Sequence, residues 1–185
     1  RGAQRAARII AVMVETHPEP VHPVLIVGGG LVGASLAIAL DRAGVDAALV
    51  EATPPASMPA VFDERNLSFA EATVNALTAL GVLQKLRAPG GPIREIHVSR
   101  AGDFGRVKLA AADYGREAFG QVVVARDFGE ALEARLAEMP RLVRYRPARF
   151  AGFDGIEEGH RVVRLGGPDG DTRVRARLVV GADGV

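Results

Sequence analysis

The sequence predicts an α/β fold, a mainly parallel sheet flanked by helices, with a β-meander and an off-sheet hairpin inserted before the parallel sheet resumes. Three observations carry this. "VLIVGGGLVGASLAIALDRAGVDAALVE" (24–51) reads as strand, glycine turn, helix and strand. The stretch 142–176 holds short extended runs broken by "DG" and "GPDGD" turns. "RLVVGADGV" (177–185) then returns as an apolar strand that runs into a loop.

Taken in order, the first dozen residues, "RGAQRAARIIAV", are basic and lack both a long apolar region and a small-residue cleavage site, so they do not read as a secretory signal. Met13 reads as the natural start. Residues 1–22 are expected to be a disordered extension, with "ETHPEPVHP" a Pro-rich lead-in that forms no regular element. Val24 to Val27 is the first strand, Leu31 to Ala43 a helix ended by Gly44, and Ala47 to Val50 the second strand. "ATPPASMPAVFDERN" is a loop. Ser68 and Glu71 have capping-box spacing ahead of a helix from Phe69 to Leu80, with Gly81 at its C-terminal stop. "IREIHVSR" and "RVKLAAADY" flank "AGDFG" as a hairpin, with strands near 93–100 and 106–112. "QVVVAR" is a short extended run. Asp127 and Glu130 repeat the capping-box spacing before a helix over 128–139, stopped by Pro140. Strands follow near 142–146, 148–153, 161–166 and 172–176.

Composition narrows the function classes. With 185 residues, 48% of them hydrophobic, the chain can bury one real core. Lysine and arginine total 23 against 22 acids, so there is no general electrostatic reason to bind nucleic acid or an anionic membrane. The absence of cysteine removes disulfides, thiolate metal sites and cysteine nucleophiles, and it fits a reducing cytoplasm. Val24 to Leu40 is uncharged for 17 residues, short of a membrane span and interrupted by glycines. His17, His22, His97 and His160 show no metal spacing, and His97 reads as a half-exposed sheet residue. Nothing in the sequence places Tyr114 or Tyr145 in a pocket.

The chemistry lies in the opening unit. Gly28, Gly30 and Gly33 fit GxGxxG directly after a strand and at the start of a helix, a Rossmann-like context. The first glycine permits the tight turn, the second lets the backbone approach a pyrophosphate, and the third lets helix and strand pack closely. The helix N-terminus adds unpaired N–H groups and a positive dipole end. Glu51, at the tip of the second strand, can accept the hydroxyls of an adenosine ribose and repels a 2′-phosphate. The unit is therefore a dinucleotide site. A plain NAD domain would add another βα repeat soon after Glu51, whereas this chain inserts a loop, a hairpin and a meander, which favours FAD.

These segments resemble the flavoprotein aromatic hydroxylases of the p-hydroxybenzoate hydroxylase fold, and among them the ubiquinone-biosynthesis branch, the 2-polyprenyl-6-methoxyphenol hydroxylases. "VLIVGGGLVGASLAIALDRAG" with "LVE" is similar to the FAD-binding opening, "FDERNLSFAEATVNALTALGV" to the arginine loop and helix, and "IHVSRAGDFGRVKLAAADYGREAFGQVV" to the region most particular to the branch. "LVVGADGV" matches the DG motif.

The resemblance implies that residues 23–185 form an incomplete FAD-binding domain, with 90–120 contributing a hairpin to the substrate domain. It implies that Gly28, Gly30, Gly33 and Glu51 bind the ADP half of FAD, that Arg65 lies beside the flavin or the pyrophosphate, and that Arg126 lies near the cofactor. Asp183 and Gly184 would sit near the pyrophosphate and serve NAD(P)H docking. By residue type alone, Arg65 reads as a solvated loop arginine, Arg126 equally as a surface ion pair and "ADG" as a turn after a strand. The activity implied is hydroxylation of a polyprenylated phenol with NAD(P)H and O2 through a C4a-hydroperoxyflavin, the hard step being the cofactor's. The family's second FAD signature falls beyond residue 185, so these residues alone are expected to bind FAD weakly and to hydroxylate nothing. A cytoplasmic location is expected, the lipid-soluble substrate implies that the complete enzyme visits the inner membrane surface, and the resemblance implies other ubiquinone-biosynthesis proteins as partners. Two other classes stay open: another FAD enzyme of the same fold, such as a soluble-aromatic hydroxylase or a prenyl reductase, and a non-catalytic dinucleotide-binding module.

Overall fold

The computed structural model describes residues 19–55, 57–59, 62–102 and 104–184. Strand β1 (Val21–Val27) feeds helix α1 (Leu31–Arg42), which returns the chain to β2 (Ala47–Val50) beside β1. A three-stranded antiparallel sheet follows from β3 (Asn66–Ala70), β4 (Gly91–Pro92) and β7 (Gly120–Val124), with helix α2 (Glu71–Ala79) after β3. The hairpin β5 (Glu95–Val98) and β6 (Val107–Ala110) forms its own two-stranded sheet. Helix α3 (Ala125–Leu136) leads to β8 (Val143–Tyr145), then to β9 (Arg149–Glu157), β10 (His160–Gly167) and β11 (Gly170–Gly181).

The main sheet has the order β8-β2-β1-β11-β10-β9. Strands β8, β2, β1 and β11 are parallel, while β10 and β9 are antiparallel. Its centre is apolar on both faces, which explains uninterrupted runs such as "VLIV" where a half-exposed strand would alternate. Val24, Ile26 and Leu49 join α1 and α3 side chains such as Ile38, Phe128 and Leu132 in one core. Leu25, Ala48 and Val50 point the other way, onto Val163, Leu165 and Val174 of the meander. Among the described residues no helix is long and apolar enough to cross a membrane.

The structure corrects several local expectations. Of the extension expected over 1–22, residues 1–18 lie outside the described residues, and Val21 and His22 belong to β1, paired with Arg175 and Ala176. Pro23 interrupts that ladder without ending the strand, as a residue lacking an N–H can near a strand start. Ser68 is no helix cap: it lies in β3 opposite Val122, and α2 begins only at Glu71. Asp127 is the third residue of α3, not its cap; Val124 takes that position with no side-chain hydrogen bond. In both cases pairing of β3 with β7 sets where the helix starts, overriding the local capping signal. The strand expected near 172–176 and the apolar run after it are one twelve-residue strand, β11. Its first part completes the meander against β10 and its second part pairs parallel with β1.

Candidate functional site

The topology opens a crevice at one sheet edge. From β1 the chain crosses through α1 to β2 on one side, whereas β11 flanks β1 on the other, so the C-terminal ends of β1, β2 and β11 meet where strand order reverses. Open α/β sheets bind ligands at such a switch point. A cavity of about 620 Å³ lies there, and its lining includes Gly28, Gly30, Glu51, Asp183 and Gly184.

Backbone contacts fix the cradle. The Gly28 N–H donates to the Val50 carbonyl at 2.8 Å, and the Ala182 N–H donates to the Val27 carbonyl at 2.7 Å, so the glycine turn, β2 and the segment after β11 are tied together. Gly28 has φ +105°, and a Cβ there would lie 2.5 Å from the Ala182 carbonyl oxygen. That is a left-handed position with no room for a side chain. Gly33 is buried behind the turn, where a Cβ would stand 1.9 Å from the Gly28 oxygen. Gly30 is the N-cap of α1, with no side-chain cap and no acid in the first turn, and Gly30, Leu31 and Val32 line the cavity, so the first turn of the helix borders it.

Glu51 is buried, 8% exposed, yet each carboxylate oxygen is met. The Gly29 N–H donates to Oε2 at 2.8 Å and the Thr53 N–H to Oε1 at 2.6 Å. A carboxylate offers about four acceptor positions, so lone pairs remain for two ligand hydroxyls. Gly29 is a site residue that the motif reading missed: a Cβ there would fall 2.7 Å from Glu51 Oε2. The run of three glycines was its signal in the sequence. The donor set therefore fits a dinucleotide: a glycine cradle and helix N-terminus for a pyrophosphate, and a fixed carboxylate for a ribose.

The arginines lie elsewhere. Arg65 and Arg126 are not among the residues lining the cavity. Arg65 is 66% exposed and pairs with Asp63 at 2.8 Å, holding the Asp63 carboxyl below its ordinary range by hydrogen bond and charge. Arg126 is 51% exposed and pairs with Glu64. The two share one corner, because the Ala125 N–H donates to the Arg65 carbonyl at 2.8 Å and the Arg126 N–H to the Asp63 carbonyl at 2.9 Å.

His22 and Tyr145 are brought together across the main sheet, 2.8 Å apart between Nε2 and the hydroxyl. Burial lowers the His22 pKa and raises that of Tyr145. Neither lines the cavity at the switch point. Tyr114 is exposed and stacks edge-on against Phe119 at 5.8 Å.

The family model for an FAD binding domain matches residues 22–185. Among curated proteins, the chain is similar to ubiquinone hydroxylase UbiL of Rhodospirillum rubrum, with 36% identity over 167 residues, which is 90% of this chain and 38% of that protein. Among solved structures, the p-nitrophenol 4-monooxygenase PnpA of Pseudomonas putida shares the fold with a TM-score of 0.73 at 22% identity, over 90% of this chain and 42% of that one. The aklavinone-11 hydroxylase, solved as a ternary complex with FAD and aklavinone, aligns with a TM-score of 0.65 at 27% identity, over 91% of this chain and 33% of that one.

Proposed function

The chain belongs to the FAD binding domain family, and on that premise we propose that it is the cofactor-holding part of an FAD-dependent aromatic hydroxylase acting on a polyprenylated phenol in ubiquinone biosynthesis. The observation that carries the reading is the meeting of the glycine turn, Glu51 and the Asp183–Gly184 turn in one cavity at the switch point. The 36% identity to a ubiquinone hydroxylase supports the substrate class.

In this proposal Glu51 accepts the ribose hydroxyls of the ADP half, while Gly28 and Gly30 let the backbone and the N-terminus of α1 reach the pyrophosphate. Gly33 keeps α1 close enough to do so. Asp183 and Gly184, fixed by the Ala182–Val27 hydrogen bond, face the pyrophosphate from the other wall. Arg65 and Arg126 approach the flavin end from the corner above α3, exchanging their carboxylate partners for ring carbonyls or phosphate oxygens. Bound FAD would supply reduction by NAD(P)H and activation of O2 for transfer to the electron-rich ring. The hairpin β5–β6, exposed along its whole first strand, is assigned to the substrate-domain sheet.

The test is NAD(P)H oxidation by the protein produced from its full reading frame, purified and loaded with FAD, with product mass analysis, offered polyprenylphenols in detergent and soluble phenols in parallel. Substrate-dependent oxidation and a product heavier by one oxygen, with the polyprenylphenol preferred, support the proposal. Hydroxylation of soluble phenols alone replaces the substrate, and reduction of a prenyl chain replaces the reaction.

A further inference from the structure

Arg146 lies one residue beyond β8, and its side chain is 5% exposed. Its Nε donates to the Thr53 carbonyl at 2.7 Å. Its Nη2 donates to the carbonyls of Pro54 at 3.1 Å and Ser57 at 2.5 Å. Its Nη1 donates to Glu133 Oε1 at 2.7 Å, on α3, and Arg144 donates to both oxygens of the same carboxylate at 2.9 Å. One guanidinium thus joins α3 to the loop that follows Glu51.

That loop has few means of ordering itself. Pro54, Pro55 and Pro59 lack an N–H, and although the Ser57 N–H reaches the Pro54 carbonyl at 2.9 Å, the Thr53 and Ser57 carbonyls take donors from outside the loop. Arg146 provides them, and Thr53 relays the effect: its carbonyl is held by Arg146 while its N–H donates to Glu51 Oε1 at 2.6 Å. Arg146 itself is not among the residues lining the cavity.

We infer that Arg146, anchored by Glu133, is a positioning residue for the adenosine end of the cofactor site, fixing Thr53 and through it the direction in which Glu51 presents its carboxylate. This rests on the reading that Glu51 receives the ribose of FAD. A planar fork with five donors can serve three carbonyls and one carboxylate at once, whereas the three donors of a lysine ammonium radiate from a single point. Lysine therefore does not replace it.

The experiment is a double-mutant cycle on FAD affinity, measured by titration of the apoprotein purified from the full reading frame, for wild type, Arg146→Met, Glu51→Gln and the double variant. Arg146→Met is expected to weaken FAD by about tenfold to hundredfold, the scale of lost hydrogen bonds from a charged donor. In the Glu51→Gln background the same change is expected to cost less than about twofold, because the carboxylate it orients is gone. Arg146→Lys should recover only part of the loss. Glu133→Gln, which leaves Arg146 in place with a neutral partner, should give a smaller loss in the same direction and serves if Arg146→Met does not fold. An equal loss in both backgrounds would mean a general structural role and would overturn the inference, as would unchanged affinity in Arg146→Met. A wild-type protein that binds no FAD overturns the underlying reading instead, so the two failures are distinguishable.

Discussion

Gly33 has the Gly28 oxygen 1.9 Å from where a Cβ would stand, while the Arg65 side chain, in the loop after β2, is 66% exposed beside its own acid. The glycine turn between β1 and α1 leaves no room for a side chain at Gly28 or Gly33, and the Glu51 carboxylate beside it is held from two sides. The corner formed by Arg65 and Arg126 is held by two backbone hydrogen bonds to α3 and by ion pairs in water. The first region is preorganised before any ligand arrives; the second keeps long cations that can change partners at little cost. Stability should therefore reside in the cradle, and adjustability in the corner.

The largest effect that follows is at Gly33. Gly33→Ala forces α1 away from β1 and should destabilise the protein by about 3 kcal/mol or more, read by denaturant unfolding. A cradle that absorbs the methyl group without loss would break the contrast. Glu51→Gln comes next: glutamine must turn its amide NH2 toward an N–H of Gly29 or Thr53, so FAD affinity should fall by about tenfold to hundredfold in a titration.

A smaller effect belongs to His22, whose folded pKa is lowered by burial. The unfolded state then binds the proton more readily, so stability is full above the unfolded value of about 6.5 and declines as pH falls from there toward the lowered folded value. Unfolding midpoints across that window should show the decline in wild type and its loss in His22→Gln. The smallest stability changes are expected at the corner. Arg65→Ala and Arg126→Ala should shift stability by less than about 0.5 kcal/mol, since exposed ion pairs contribute little. Both should nevertheless reduce FAD affinity, and unchanged affinity would remove them from the cofactor site.

The same contrast governs what the sequence made legible. The opening unit could be read because its signals are local and mutually consistent: an apolar run, a glycine turn, a helix with its glycine stop, and a second apolar run ending on Glu51. Gly44 and Gly81 mark helix ends in the structure as they do in the sequence, at φ +76° and +78°. The starts of α2 and α3 could not be read in the same way. Ser68 and Asp127 carry capping chemistry, but the long-range pairing of β3 with β7 decides which residues remain for the helices. Likewise β11 runs unbroken from Gly170 because it lies between β10 and β1, a relation its polar first half does not announce. Arg146 left no signal at all, since its role exists only where β8, α3 and the loop after Glu51 converge.

The most direct measurement is the visible spectrum of the protein purified from its full reading frame, with chromatography of whatever cofactor heat releases from it. A flavin spectrum, FAD in the extract, and loss of both in Glu51→Gln washed under the same conditions are expected. A colourless protein that cannot be reconstituted with FAD would contradict it, leaving the cradle at the switch point to a different dinucleotide.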